Sequence, residues 1–113
     1  MSAGKYNILI QQGADYIQGV TLKDSTTGLP IDLTGVTVRG QVREAYNSAA
    51  PLAAFTVQYT DMPNGKFTLT IPAATTTLLS FDTGVYDVEV VYGSGVIDRI
   101  LQGSVVFSPE VTK

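Results

Sequence analysis

Asp87 and Glu89 stand two residues apart in "GVYDVEVVY". On an extended strand such a pair shares one face at a spacing of about 7 Å. Two carboxylates held that way could divide acid and base roles, provided they were buried. The other face of the same stretch carries Tyr86, Val88 and Val90, so the carboxylates belong to the wet side. Arg39 and Arg43, in "VTVRGQVRE", form a second constellation. They could grip an anion bidentately, pair across strands with acids such as Asp87 and Glu89, or meet a partner protein. Asp24, Asp32, Asp61 and Asp82 all fall at turns, where carboxylates can hold Ca²⁺. None belongs to a compact D-x-D-x-D run, and an aspartate that accepts backbone N–H groups of its own turn accounts for each. Neither a metal nor another cofactor is expected.

The missing residue types narrow the chemistry further. The chain has no histidine and no cysteine. This removes the commonest general base, the commonest zinc ligands and any disulfide scaffold. Nucleophilic catalysis would need a Ser–Lys or threonine arrangement, and no such motif is present. The expectation is a protein that is not an enzyme and has no small-molecule substrate. Lysine and arginine total seven, scattered through a chain of net charge −3. A nucleic-acid footprint is therefore absent. Apolar runs such as "ILI" and "VVY" are too short to cross a membrane, and "MSAGKYNILIQQGADY" lacks the apolar core of a signal peptide. Synthesis in the cytoplasm without export is expected.

The elements that must position these residues read almost throughout with period two. At 113 residues the chain is expected to form one domain, residues 1–113. Lys5–Gln11 is a first strand with Tyr6, Ile8 and Ile10 on one face. Tyr16–Asp24 is a second, in which Ile17 and the Val20/Leu22 pair differ in parity, and a bulge at Gly19 would restore the register. "DSTTGLP" is a turn before the third strand, Val36–Glu44, with Val36, Val38 and Val42 as its core face. Leu52–Asp61 sends Phe55, Val57 and Tyr59 to one side. Asn64-Gly65 marks a hairpin into Lys66–Pro72, with Phe67, Leu69 and Ile71 inward and Lys66, Thr68 and Thr70 outward. One short helical turn fits within Ala73–Phe81. Gly84–Tyr92 and Val96–Phe107 are the last strands, with a bend at Gly103. About seven antiparallel strands joined by Gly, Pro and Asn turns predict an all-β sandwich.

Charged residues make up only 15% of the chain, against roughly 25% for ordinary domains. Ala45–Thr60 and Phe67–Phe81 carry no charge at all. A threonine-rich β surface is one reading. Surface buried against other subunits is the other, because interface cores are depleted in charge. On the second reading the loop "AYNSAAP" with Tyr46, and the outward threonines Thr56, Thr68 and Thr70, touch neighbouring chains. Arg39 and Arg43 join that list of partner contacts.

Two resemblances follow from longer motifs. Asp82-x-Gly84-x-Tyr86, in "FDTGVYDVEV", resembles the tyrosine corner of immunoglobulin-like domains. It implies a structural Tyr86 whose hydroxyl bonds back to the chain a few residues upstream. The cysteine of such domains would fall at Val88, and there is no tryptophan, so the immunoglobulin core is not matched. Taken together, "YNILIQQGADY", "GLPIDLTGVTVRGQVR", "FTLTIPAATTTLL" and "RILQGSVVFSPEVTK" resemble a family of small tailed-bacteriophage structural proteins, over Tyr6 to Thr112. The resemblance implies an immunoglobulin-like virion protein, an adaptor or connector at the tail, baseplate or fibre attachment. Its partners would be other virion proteins or copies of itself. A capsid decoration protein and a carbohydrate-binding module at a fibre tip are the alternatives. No catalytic residue is implied.

Overall fold

The computed structural model describes residues 4–24 and 26–111. Ser25, within the expected "DSTTGLP" turn, and Thr112, at the end of the "SPEVT" motif, lie outside them. Among the described residues nine strands form two sheets: β1 (Gly4–Lys5), β2 (Ile8–Gln11), β3 (Tyr16–Thr21), β4 (Thr37–Arg43), β5 (Ala53–Ala54), β6 (Thr56–Asp61), β7 (Lys66–Ile71), β8 (Thr83–Val91) and β9 (Ile97–Ser108). One sheet runs β1-β9-β8-β4-β5, with β2 also on β9, and the other runs β3-β7-β6. The short helix α1 covers Ala73–Thr76, within the stretch expected to turn.

The core is the sum of the alternating faces. Ile10, Val42, Val88, Val90 and Val105 from the first sheet meet Phe67, Leu69 and Ile71 from the second, all essentially without solvent contact. Each such side chain contributes about 1.5–3 kcal/mol by leaving water. Phe55 bridges the sheets, with Tyr16 of β3 and Tyr86 of β8 each 6.0 Å from its ring. The "PIDLTG" hook supplies a plug. Asp32 Oδ1 accepts the Thr34 N–H at 2.9 Å, and Leu33, fully buried, donates its N–H to the Met62 carbonyl. Thr76 is buried because its hydroxyl donates to the Ala14 carbonyl at 2.9 Å and accepts the Gly13 N–H. A polar side chain inside the core is thereby satisfied.

Six expectations need correction. The strands are not all antiparallel, since β1 and β2 run parallel to β9. The predicted first strand is also broken at Tyr6-Asn7. There the Tyr6 N–H donates to the Gln102 carbonyl, and Asn7 Oδ1 accepts the Ser104 N–H at 3.0 Å. Gly103 is not a bend but a close approach, because a Cβ there would overlap the Tyr6 carbonyl. The irregularity in β9 is a register shift at Ile100, which the pairing skips between Leu101 and Arg99.

β3 has no bulge at Gly19, for it pairs with β7 in unbroken register from Tyr16 to Thr21. Ile17 simply faces outward. The predicted fourth strand is two pieces, with Ala53–Ala54 pairing with β4 before the chain crosses at Phe55 to the second sheet. The hairpin at Asn64-Gly65 is present, but with a 3₁₀ turn over Met62–Asn64 rather than a two-residue loop. Only Gly65 takes positive φ (70°), and Asn64 instead donates its side-chain amide to Asp61 at 2.9 Å.

Candidate functional site

Pairing registers fix what each sheet shows to the outside. On the β4-β8-β9 side, Arg39, Glu89 and Arg99 form one cross-strand row, Gln41, Asp87 and Gln102 the next, and Arg43, Val85 and Ser104 a third. Arg39 and Glu89 are ion-paired at 3.0 Å, and Arg99 reaches Asp87 at 3.3 Å. Both carboxylates therefore stand on one face, as their spacing requires, each beside an arginine. Burial pushes the Asp87 carboxyl above the usual range, and the attraction of Arg99 only partly opposes it. Arg43 takes neither acid: it donates to the Ser48 carbonyl at 2.8 Å and to Gln41 at 3.0 Å. Its role is to hold the 45–48 loop, where Ala45 N–H donates to Ser48 Oγ. Arg39 and Arg43 are thus spent separately and form no anion clamp.

Tyr46 projects from that loop, 80% exposed. It rims a shallow groove of about 340 Å³ shared with Gln41, Arg43, Val85, Asp87 and Arg99.

The β3-β7-β6 side is different in kind. Its outward rows are Ile17, Thr70 and Thr56; then Gly19, Thr68 and Gln58; then Thr21, Lys66 and Asp61. Charge appears only in the last row. Thr56 is exposed, Thr68 and Thr70 are half-buried, and Ile17 is 65% exposed. The three threonines singled out as partner contacts are therefore brought together, two of them directly opposed. Arg39, Arg43 and Tyr46 are not with them, because they belong to the outer face of the other sheet. Ile17, Gly19 and Gln58 complete the uncharged face and were not foreseen. The signal was present in "YIQGVT", which alternates cleanly once the unusual outward isoleucine is accepted.

The residues expected to be structural are positioned as follows. Tyr86 is buried, and its hydroxyl donates to the Tyr6 carbonyl, across to the β1–β2 junction rather than to a nearby upstream residue. Burial pushes the phenols of Tyr86 and Tyr16 up to about 12. Gly84 is packed against the Arg43 carbonyl, 2.6 Å from where a Cβ would sit. The Asp82 carbonyl accepts the Phe107 N–H at 3.0 Å, securing the entry to β8.

Tyr59 makes a second cross-sheet tie. Its hydroxyl accepts the Val38 N–H at 3.0 Å and donates to the Val36 carbonyl, capping the part of β4 that β5 leaves unpaired.

Of the turn aspartates, Asp24 and Asp32 accept backbone N–H groups of their own turns, while Asp61 accepts the Asn64 amide. Asp24 Oδ1 accepts the Thr26 and Thr27 N–H groups at 2.8 and 3.1 Å. The Thr34 bonds hold the Asp32 carboxyl below the usual range. Among the described residues no group of three or more acidic, histidine or cysteine side chains gathers into a metal cage, and no helix is long and apolar enough to cross a membrane. Compared with models of known families and with curated proteins, the chain matches none.

Proposed function

We propose that this chain is a non-enzymatic virion structural protein of a tailed bacteriophage, an adaptor or connector in the tail, baseplate or fibre-attachment region. The observation that carries the reading is the outer face of β3-β7-β6, on which charge is confined to the row of Lys66 and Asp61. Its other two rows, of threonine, glutamine, glycine and one exposed isoleucine, lack charge as the core of a contact surface does. The motif resemblance between Tyr6 and Thr112 supplies the setting.

An immunoglobulin-like sandwich is the fold proposed with it. In favour stand the strand orders β3-β7-β6 and β9-β8-β4-β5, which parallel the B-E-D and G-F-C-C′ order of such domains. The buried tyrosine near the start of β8 also favours it. The missing tryptophan and disulfide, and the distant partner of the Tyr86 hydroxyl, set it apart from the antibody pattern.

A second reading, a carbohydrate-binding module at a fibre tip, is favoured by Tyr46 on a groove lined by both polar and apolar groups. Capsid decoration is a third position for the same contact surface. Cryo-electron microscopy of purified particles separates them: density at the tail or baseplate supports the adaptor, and density on the capsid or at a fibre tip replaces it. Absence of the chain from particles overturns the virion reading.

A further inference from the structure

The two sheets expose four strand edges, and three are blunted. β5 is two residues long and follows Pro51. β6 is bulged between Tyr59 and Asp61. The β1–β2 edge is interrupted at Tyr6-Asn7. These are the usual devices that stop edges from pairing. β3 has none of them. It is six residues of "YIQGVT" with no charge, no proline and no register shift.

The hydrogen-bonding phase of that edge is fixed by its other side. Leu22 N–H donates to the Gly65 carbonyl and the Leu22 carbonyl accepts the Ile31 N–H, so position 22 bonds toward β7 and its continuation. Because bonding direction alternates along a strand, Val20, Gln18 and Tyr16 also bond toward β7. Ile17, Gly19 and Thr21 direct their N–H and C=O groups to the open edge. Gly19 O meets only the amide of its neighbour Gln18, an exposed local contact at 3.2 Å. The edge opens on a largely apolar cleft of about 350 Å³ whose far lip is β1.

We propose that β3 pairs antiparallel with β3 of a second copy of this chain, about a two-fold axis at Gly19. In that register Gly19 opposes Gly19, and Ile17 opposes Thr21 in both directions. All three residues meet as hydrogen-bonded pairs, making about six inter-chain bonds. The glycine pair lets the backbones approach with no side chain between them, and a Cβ at 19 has nothing within 4 Å in the single chain.

Charge selects the second copy as occupant. Beyond the strand ends, Asp15 falls opposite Lys23 of the other chain, twice by symmetry. Both are exposed, and of the Asp15 oxygens Oδ1 accepts the Ala73 N–H. Pairing also joins the two uncharged outer faces into one continuous sheet surface. It does not depend on the virion reading.

The test is molar mass by light scattering across a wide concentration range, with backbone amide exchange as a second readout. The native chain is expected to rise to twice the mass of one chain, with protection appearing at Ile17, Gly19 and Thr21. Ile17→Glu with Thr21→Glu opposes like charges in both pairs and weakens dimerisation at least about tenfold. Ile17→Lys with Thr21→Glu opposes unlike charges and restores it. Both substituted positions are exposed, and circular dichroism verifies the fold. A native chain that stays monomeric overturns the proposal. So does a double-glutamate variant that dimerises like the native chain, which would move the interface elsewhere.

Discussion

The outer faces of the two sheets solve the same problem in opposite ways. On β4-β8-β9, charges of both signs stand in adjacent rows and neutralise one another, as Arg39 does with Glu89 and Arg99 with Asp87. Such a face is satisfied by itself and by water. On β3-β7-β6, two rows of threonine, glutamine, glycine and Ile17 carry no charge, which is confined to the row of Lys66 and Asp61. The difference shows how one small domain can keep a surface for solvent and reserve another for protein. It also moves attention away from the arginines, whose residue type suggested a site, to a surface defined by what it lacks.

The comparison breaks most sharply if charge is forced onto the quiet face. Thr56→Glu, Thr68→Glu and Thr70→Glu together should reduce incorporation into particles by at least about tenfold, while the free domain keeps a cooperative unfolding transition. Quantitative mass spectrometry of purified particles checks the first half and calorimetry the second. Normal incorporation would leave the uncharged face without a role.

Next in size is the tie that completes the charged sheet. Tyr86→Phe removes the donor to the part-buried Tyr6 carbonyl and should cost about 0.5–1.5 kcal/mol in denaturant unfolding. β2 amides should lose exchange protection before those of β7. Equal loss in both sheets would mean that the two halves are not distinguishable in stability.

The ion pairs themselves should be worth little. A double-mutant cycle on Arg39→Ala and Glu89→Ala is expected to give a coupling of about 0.2–1 kcal/mol, falling with added salt. A coupling above about 2 kcal/mol would show that this face is a structural network and not a solvated surface.

The smallest effect concerns Asp87. Its folded pKa is raised, so the neutral acid favours the folded state below the unfolded value, and that contribution is lost as pH rises through the folded value. Asp87→Asn should therefore unfold at the same temperature as the native chain in acid and at an equal or higher one at pH 7, by no more than about 2 °C. A clear loss at pH 7 would make the Arg99 pairing dominant.

Period-two alternation carried most of the fold, since Val38/Val42, Phe67/Leu69/Ile71 and Val88/Val90 are buried where their spacing puts them. What it could not carry is long-range. No local pattern tells that Phe55 hands the chain from one sheet to the other, or that Gly103 is small to admit Tyr6. The parallel pairing of β2 with β9 likewise depends on residues far apart in sequence. For the candidate site, the clustering of Thr56, Thr68 and Thr70 followed from hairpin parity. The third strand of that face was obscured because an outward isoleucine imitated a register shift. Arg99 was overlooked as the partner of Asp87 because the offset at Ile100 brings it alongside only in three dimensions.

The parallel strand on β9 has a kinetic consequence. Asn7 bonds to Ser104, 97 residues away, and Ile8 and Ile10 have no sheet to join until β9 exists. Loops of that length close slowly, and domains dominated by such pairings fold in about milliseconds to seconds. During synthesis the first strand made must therefore wait for the last, its two isoleucines uncovered. β3, β6 and β7 lie within a much shorter span and can assemble earlier. The uncharged sheet is then ready for company before the charged one is finished.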